Sequence, residues 1–185
     1  MTCIVGMLDK ANNTVVIGAD SAGINVDNLD VTIRKDEKVF RNKDFVIGCT
    51  SSFRMIQLLK YSFNPPKVKG DRDIFEYMCT VFIDEVKRCF KNGGFLQKYE
   101  AGDERGGVFL VAYEDRLFKI EGDFQVAEAD RGYDACGSGA PYALGSLYSS
   151  KNVDVEQVVL ESLESASFFN AGVSAPYTYY RTKKK

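Results

Sequence analysis

The 185-residue chain has a formal net charge of −2, is 45% apolar and 27% charged, and contains no histidine. That balance favours neither nucleic acid nor an anionic membrane as a partner. The missing imidazole excludes Ser-His-Asp triads, Cys-His dyads and HExxH zinc sites, so a hydrolase built from this chain needs an α-amine, a lysine or a carboxylate as its base.

Thr2 to Leu8 is β-branched and apolar and reads as a strand. Asn12-Asn13 supplies a turn, and Thr14 to Gly18 returns as a second strand. Its apolar residues run continuously (Val15, Val16, Ile17), as expected of a strand covered on both faces. Ser21 to Asp36 is polar and reads as a long irregular excursion, a feature often functional in compact domains. Lys38 to Arg41 and Phe45 to Cys49 form a second hairpin around Asn42-Lys43.

Ser51 or Ser52 caps a helix reaching about Ser62, with Met55, Ile56, Leu58 and Leu59 as its buried stripe, and Asn64-Pro65-Pro66 ends it. A longer helix is expected from about Arg72 to Lys91, stopped by Asn92-Gly93-Gly94. Gly107 to Tyr113, Leu117 to Glu121 and Phe124 to Glu128 read as a strand meander. Tyr133 to Gly137 is a short strand, and Ala140 to Tyr148 is a helix with Pro141 in its first turn. Asp154 caps a helix to about Phe169, and Ser174 to Arg181 closes the chain as a strand. The aromatic residues Tyr177, Tyr179, Tyr180, Phe168 and Phe169 suit the core or a subunit contact. Runs of strands alternating with runs of helices indicate an α+β fold. Two antiparallel sheets face to face, with a helical pair outside each, accommodate this order within one domain, 1-185.

The five cysteines, Cys3, Cys49, Cys79, Cys89 and Cys136, are odd in number, lack C-x-x-C spacing and sit in apolar settings. They read as buried thiols of a reduced, cytoplasmic protein. No signal-peptide pattern opens the chain, and no apolar run reaches the ~18 residues of a membrane span.

Chemistry concentrates at the start. Methionine is normally trimmed when its neighbour is as small as threonine, which would give Thr2 a free α-amine. An N-terminal threonine carries its own base, because that amine can take the proton of its hydroxyl. The amine's reference pKa of about 7.7–8.0 leaves much of it neutral near physiological pH. Cys3 is a second potential nucleophile but is neither N-terminal nor partnered by histidine, so a buried thiol is the better reading.

The opening Thr2-Cys3-Ile4-Val5-Gly6, then Gly18-Ala19-Asp20-Ser21, Glu37-Lys38-Val39, Phe45 to Gly48 and Gly137-Ser138-Gly139-Ala140-Pro141-Tyr142 occur in this order. Together they resemble the proteasome β-subunit and HslV-like branch of the N-terminal-nucleophile hydrolases. The resemblance implies a four-layer αββα sandwich and a threonine-type peptidase that assembles into homo-oligomeric rings, with no cofactor and no metal. It implies Thr2 as nucleophile, Lys38 lowering its hydroxyl pKa, Asp20 holding Lys38, the Gly48 amide stabilising the oxyanion, and Ser138 bonding around the amine. Lys35 is an alternative to Lys38. In the family a later Asp-x-x-Ser pair supports the nucleophile, where this chain has Asn170-Ala171-Gly172-Val173-Ser174. Substrates would be peptides or unfolded protein; no unfoldase is identified. The alternatives are an inactive ring or scaffold subunit and an amidase acting on a small molecule.

Overall fold

The computed structural model describes residues 1–25, 27–28, 30–68, 70, 72–98 and 104–184, with only the backbone at 97, 98, 104 and 105. In chain order the strands are β1 (Ile4–Asp9), β2 (Thr14–Ala19), β3 (Ala22–Ile24), β4 (Val31–Ile33), β5 (Val39–Asn42) and β6 (Phe45–Cys49). Helix α1 (Phe53–Tyr61) follows, then α2 (Ile74–Tyr77), a π-helical stretch (Met78–Phe82) and α3 (Ile83–Asn92). After these come β7 (Gln97–Lys98), β8 (Glu104–Arg105), β9 (Phe109–Tyr113), β10 (Arg116–Ile120), β11 (Val126–Glu128) and β12 (Tyr133–Cys136). Helices α4 (Ala140–Ser149) and α5 (Val155–Phe169) precede the last strand, β13 (Thr178–Arg181).

Two antiparallel sheets dominate: β12-β1-β2-β13, and β11-β10-β9-β6-β5. The unbroken apolar runs of the sequence are resolved by the two-residue alternation of a strand. Along β2, Val15, Ile17 and Ala19 turn towards the facing sheet, joining Val39, Val46, Leu110 and Ala112. Val16, between them, turns outward onto Val158, Val159 and Leu163 of α5. Strand β6 repeats the pattern, with Val46 in the middle layer and Phe45, Ile47 and Cys49 facing Met55, Leu59, Phe82 and Val86. Three apolar layers thus separate four layers of structure, helix, sheet, sheet and helix, as the α+β reading expects.

Some boundaries and one assignment differ. The polar stretch after Ser21 is not wholly irregular: β3 and β4 pair through Ala22↔Ile33, Gly23↔Thr32 and Ile24↔Val31. All three β4 residues are exposed, so the short Val31-Thr32-Ile33 alternation buries no face. The long helix starts after the Asp73 cap rather than at Arg72, and contains one wide turn in which the Ile83 amide bonds the Met78 carbonyl. The four-residue spacing of Met78, Phe82, Val86 and Phe90 drifts around a 3.6-residue helix, and a π turn returns these side chains to the core. Strands β9 and β13 begin at Phe109 and Thr178, later than their sequence patterns indicate. All five cysteines are unpaired, but Cys79 is exposed rather than buried. Phe168 and Phe169 lie on the outer face of α5, 83% and 61% exposed, and so are not core residues. Among the described residues no helix is long and apolar enough to cross a membrane.

The buried thiols make stability sensitive to alkali. Burial pushes the Cys3 thiol up to about 12, with the Asp20 carboxylate adding to the rise, and lifts Cys49 and Cys136 well above 9.0. Above pH 9 the unfolded thiols release protons that the folded ones keep, so the folded state binds more protons and stability falls, by about 1.4 kcal/mol per pH unit for each proton withheld. Lys38 acts in the opposite sense, since burial lowers it from 10.5 despite the pull of Asp20. Between that lowered value and 10.5 the unfolded chain holds the extra proton and stability rises with pH. Three thiols against one lysine leave a net decline. The urea midpoint is therefore expected to drop from pH 9 to pH 10.5; a midpoint that holds or rises contradicts this assignment.

Candidate active site

The N-terminal residues run into the centre of the sandwich, which buries the second side chain of the chain. Thr2 is 6% exposed, one residue ahead of β1. The loop after β12 wraps it. Gly137 has φ +98, and a β-carbon there would lie 2.2 Å from the Thr2 carbonyl oxygen, so only glycine fits. The tight loop delivers Ser138 Oγ to accept the Thr2 N–H at 3.2 Å, while the Gly139 N–H bonds the Thr2 carbonyl.

The second element is an ion pair. Asp20 follows β2 and Lys38 precedes β5; Lys38 Nζ donates to Asp20 Oδ1 at 2.8 Å, with both side chains at most 1% exposed. Three backbone donors complete the carboxylate: the Cys3 N–H on Oδ1, and those of Ala22 and Ser174 on Oδ2. Lys35 is exposed, so between the two lysines Lys38 is the one brought to Asp20.

Lys38 and Thr2 share a small pocket of about 70 Å³, lined also by Met1, Ile24, Cys49, Thr50, Ser51, Ser52, Phe53 and Ile56. Gly48 is not among its lining residues. It pairs with Val39 and Leu110 inside the sheet, and a β-carbon on it would strike Ile4 and Ile17, so its place is the close approach of the two sheets. Ser51, read from the sequence as a possible helix cap, is instead a non-glycine residue at φ +63 in the lining of this pocket. The Thr50 and Ser52 amides are bonded to the Val108 and Thr50 carbonyls, while among the described residues no bond engages the Ser51 N–H. The Ser51 hydroxyl pins this turn, accepting the Val108 N–H at 3.1 Å and sharing a hydrogen with Thr50 Oγ1. Ser52 is the cap of α1.

Asn170 reaches the same place from the end of α5. Its side-chain amide donates to the Ser138 carbonyl, and its Oδ1 accepts from the Gly172 N–H and the Ser138 hydroxyl. Ser174 meets the site through its backbone, its carbonyl accepting the Ser21 N–H. Met1, about half exposed, lies over Gly172, where any side chain would collide with it.

No protein-family model matches the chain. Among solved structures, BPH from Thiobacillus denitrificans superposes with a TM-score of 0.78 at 21% identity, covering 98% of each chain. HslV from Trypanosoma brucei gives 0.66 at 18%, covering 97% of this chain and 98% of that one. The Anbu (Gly-1) mutant from Hyphomicrobium sp. strain MC1 gives 0.67 at 18%, covering 97% of this chain and 80% of that one. The chain has the proteasome-like N-terminal-nucleophile hydrolase fold. Within that fold Thr2 and Lys38 line one pocket, with Asp20 bonded to Lys38 and Ser138 to the Thr2 nitrogen.

Proposed function

We propose that the chain is a threonine-type peptidase in which Thr2, freed by removal of Met1, is the nucleophile. The observation that carries this reading is Lys38, buried and paired with Asp20, sharing a pocket with Thr2, whose nitrogen is bonded to Ser138. The Thr2 amine accepts the hydroxyl proton as Oγ attacks the substrate carbonyl. The Lys38 charge lowers the hydroxyl pKa, and Asp20 orients Lys38. The amine then passes its proton to the departing amine of the cleaved peptide. Water, deprotonated by the same amine, hydrolyses the threonine ester and restores the site. No step calls for a metal or a cofactor.

The oxyanion donor in this reading is the Ser51 amide, not that of Gly48. Ser51→Gly keeps the positive φ and is expected to hold turnover within about threefold, as glycine adopts it freely. Ser51→Pro removes the N–H and fixes φ near −65°, and should lower kcat by about 10²–10³-fold. Equal activity of the two variants in steady-state kinetics would move the donor elsewhere.

Self-association into rings belongs to the same proposal. Its support is the fold together with the exposed Phe168, Phe169 and Tyr142 on the outer helices, an apolar face of the kind that marks contacts. Peptides or unfolded proteins in the cytoplasm are the proposed substrates. A catalytically inactive scaffold subunit is the second reading, favoured by Met1 over Gly172 and by Asn170 where the family has a carboxylate. An epoxyketone probe with mass spectrometry of the N-terminal peptide decides between them. BPH has been solved in complex with epoxomicin, which makes that compound the natural first probe. Adduct on a Met1-free Thr2 supports the peptidase. Intact Met1 throughout, or Met1-free protein that takes no probe, supports the scaffold.

A further inference from the structure

Lys38 is a closely buried cation with one hydrogen-bonded partner. Its side chain is 1% exposed, and among the described residues its one hydrogen bond runs to Asp20 Oδ1. An ammonium has three N–H donors, and in so closed a site the other two need a further source of negative potential. An aromatic face supplies it: Lys38 Nζ lies over the Phe53 ring, 5.9 Å from the centroid. Phe53, the first residue of α1, lines the Thr2 pocket together with Lys38. A ring face attracts a cation, most strongly when that cation is desolvated.

The same ring carries a second cation. Arg34, just after β4, lays its guanidinium on it, 3.7 Å from the centroid. The Arg34 N–H bonds the Ser21 carbonyl, and Gly23 leaves room for the Arg34 stem, since a β-carbon there would lie 2.7 Å from Arg34 Cδ. Asp36 takes the guanidinium through both carboxylate oxygens, at 2.7 and 2.6 Å. This outer pair is 34% and 43% exposed, whereas Lys38 is sealed. Two cations on one ring lie within about 10 Å of each other, a range over which charge is only partly screened at low salt.

We propose that Phe53 is a positioning residue for Lys38, its ring face keeping the ammonium charged in the pocket beside Thr2, and that the Arg34–Asp36 pair on the same ring tunes that charge from the surface. This rests on the Thr2 peptidase reading, in which the Lys38 charge activates the hydroxyl. The other groups around Lys38 are few. Asp20, after β2, is bonded to it. Cys3, ahead of β1, stays a neutral thiol, pushed up to about 12 by burial. Glu37 is turned to the Tyr180 hydroxyl and Lys60, and Lys35 is exposed. Thr50, Ser51 and Ser52 bring no charge to the pocket. Burial lowers Lys38 from 10.5 against the pull of Asp20, and Arg34 adds to the lowering. The signs follow. Without the ring face Lys38 loses its proton at lower pH. Without Arg34 a repelling charge is gone, and Lys38 keeps its proton to higher pH. Without Asp36 the Arg34 charge stands unneutralised, and Lys38 again loses its proton earlier.

The test is the pH dependence of kcat/KM for one fluorogenic peptide, on the Met1-free full chain and its Phe53→Leu, Arg34→Gln and Asp36→Asn variants, taken as initial rates after a brief jump from neutral pH. Wild-type activity should fall on the alkaline side, with a midpoint below 10.5, as Lys38 deprotonates. In Phe53→Leu the midpoint is expected to move down by about half a unit to one unit, the scale of a desolvated cation–ring contact. It should move up by roughly a few tenths of a unit in Arg34→Gln and down by a similar amount in Asp36→Asn. Added salt should shrink the two outer shifts and leave that of Phe53→Leu in place. Loosened packing lowers rates without giving opposite signs. An unmoved midpoint in Phe53→Leu, or shifts of the same sign in Arg34→Gln and Asp36→Asn, overturns the proposal. If Phe53→Leu does not fold, the two surface variants still read the opposite signs. Unmoved midpoints with Thr2 still labelled by epoxomicin remove the role of the ring alone; no labelling and no turnover remove the peptidase reading and this role with it.

Discussion

Thr2→Ala is expected to lower peptide turnover by about 10⁴-fold or more, the scale seen when a covalent nucleophile is deleted. The fold should survive. Among the described residues the Thr2 hydroxyl makes one hydrogen bond, to the adjoining Met1 carbonyl, so its removal orphans no distant partner. The loss of stability should stay near 1 kcal/mol, as for a typical single substitution. A melting curve within a few degrees of wild type, with epoxomicin labelling lost, is the full expected result. Thr2→Ser keeps the hydroxyl and should retain measurable activity. Turnover by Thr2→Ala within tenfold of wild type rejects Thr2 as nucleophile.

The second large effect lies behind the nucleophile, and it is asymmetric. Removing one partner of a buried ion pair costs about 3–5 kcal/mol because the other charge is stranded. Asp20→Ala also orphans the amides of Cys3, Ala22 and Ser174, so it strips the pair and three backbone donors at once. Its melting temperature should fall by about 10 °C or more. Lys38→Met leaves the Asp20 carboxylate with those same three backbone hydrogen bonds. Its loss should be roughly half as large. Activity does not share the asymmetry: both variants lose the positive charge beside Thr2, by deletion in one and by deprotonation of a stranded, buried lysine in the other. Turnover should fall by about 10²-fold or more in each. Equal destabilisation by the two variants, read by calorimetry, would show that the three amides contribute little.

The parts legible in the sequence are those where one physical requirement dominates. The runs Val15-Val16-Ile17 and Phe45-Val46-Ile47 announce strands covered on both faces, and both lie between a sheet and a helical layer. Asn13 and Lys43 turn their hairpins at φ +50 and +53, in the turns expected there. Lys38, Asp20 and Ser138 could be placed because each follows or precedes a recognisable strand. Gly48 sits within the sheet, outside the lining of the Thr2 pocket. Glycine suggests an amide open to a ligand, yet here it serves the near contact of two sheets, and the left-handed turn beside the nucleophile falls to a serine. That exchange is set by pairing register, which depends on partners distant in sequence. The β3–β4 hairpin was hidden for a different reason, since its exposed outer strand is only three residues long and is set among polar residues. The wide turn at Met78–Phe82 leaves only a drift in spacing, readable once the core it serves is known.

The distribution of sulfur has a practical consequence. Cys79 alone is open to solvent, while Cys3 lies in the layer beneath α4 and α5, Cys49 of β6 and Cys89 of α3 in the layer beneath α1 and α3, and Cys136 between the sheets. Each apolar layer therefore contains a native chemical reporter that stays silent until that layer opens. Timed alkylation, read peptide by peptide, can rank which seam of the sandwich parts first without an added label or a changed residue.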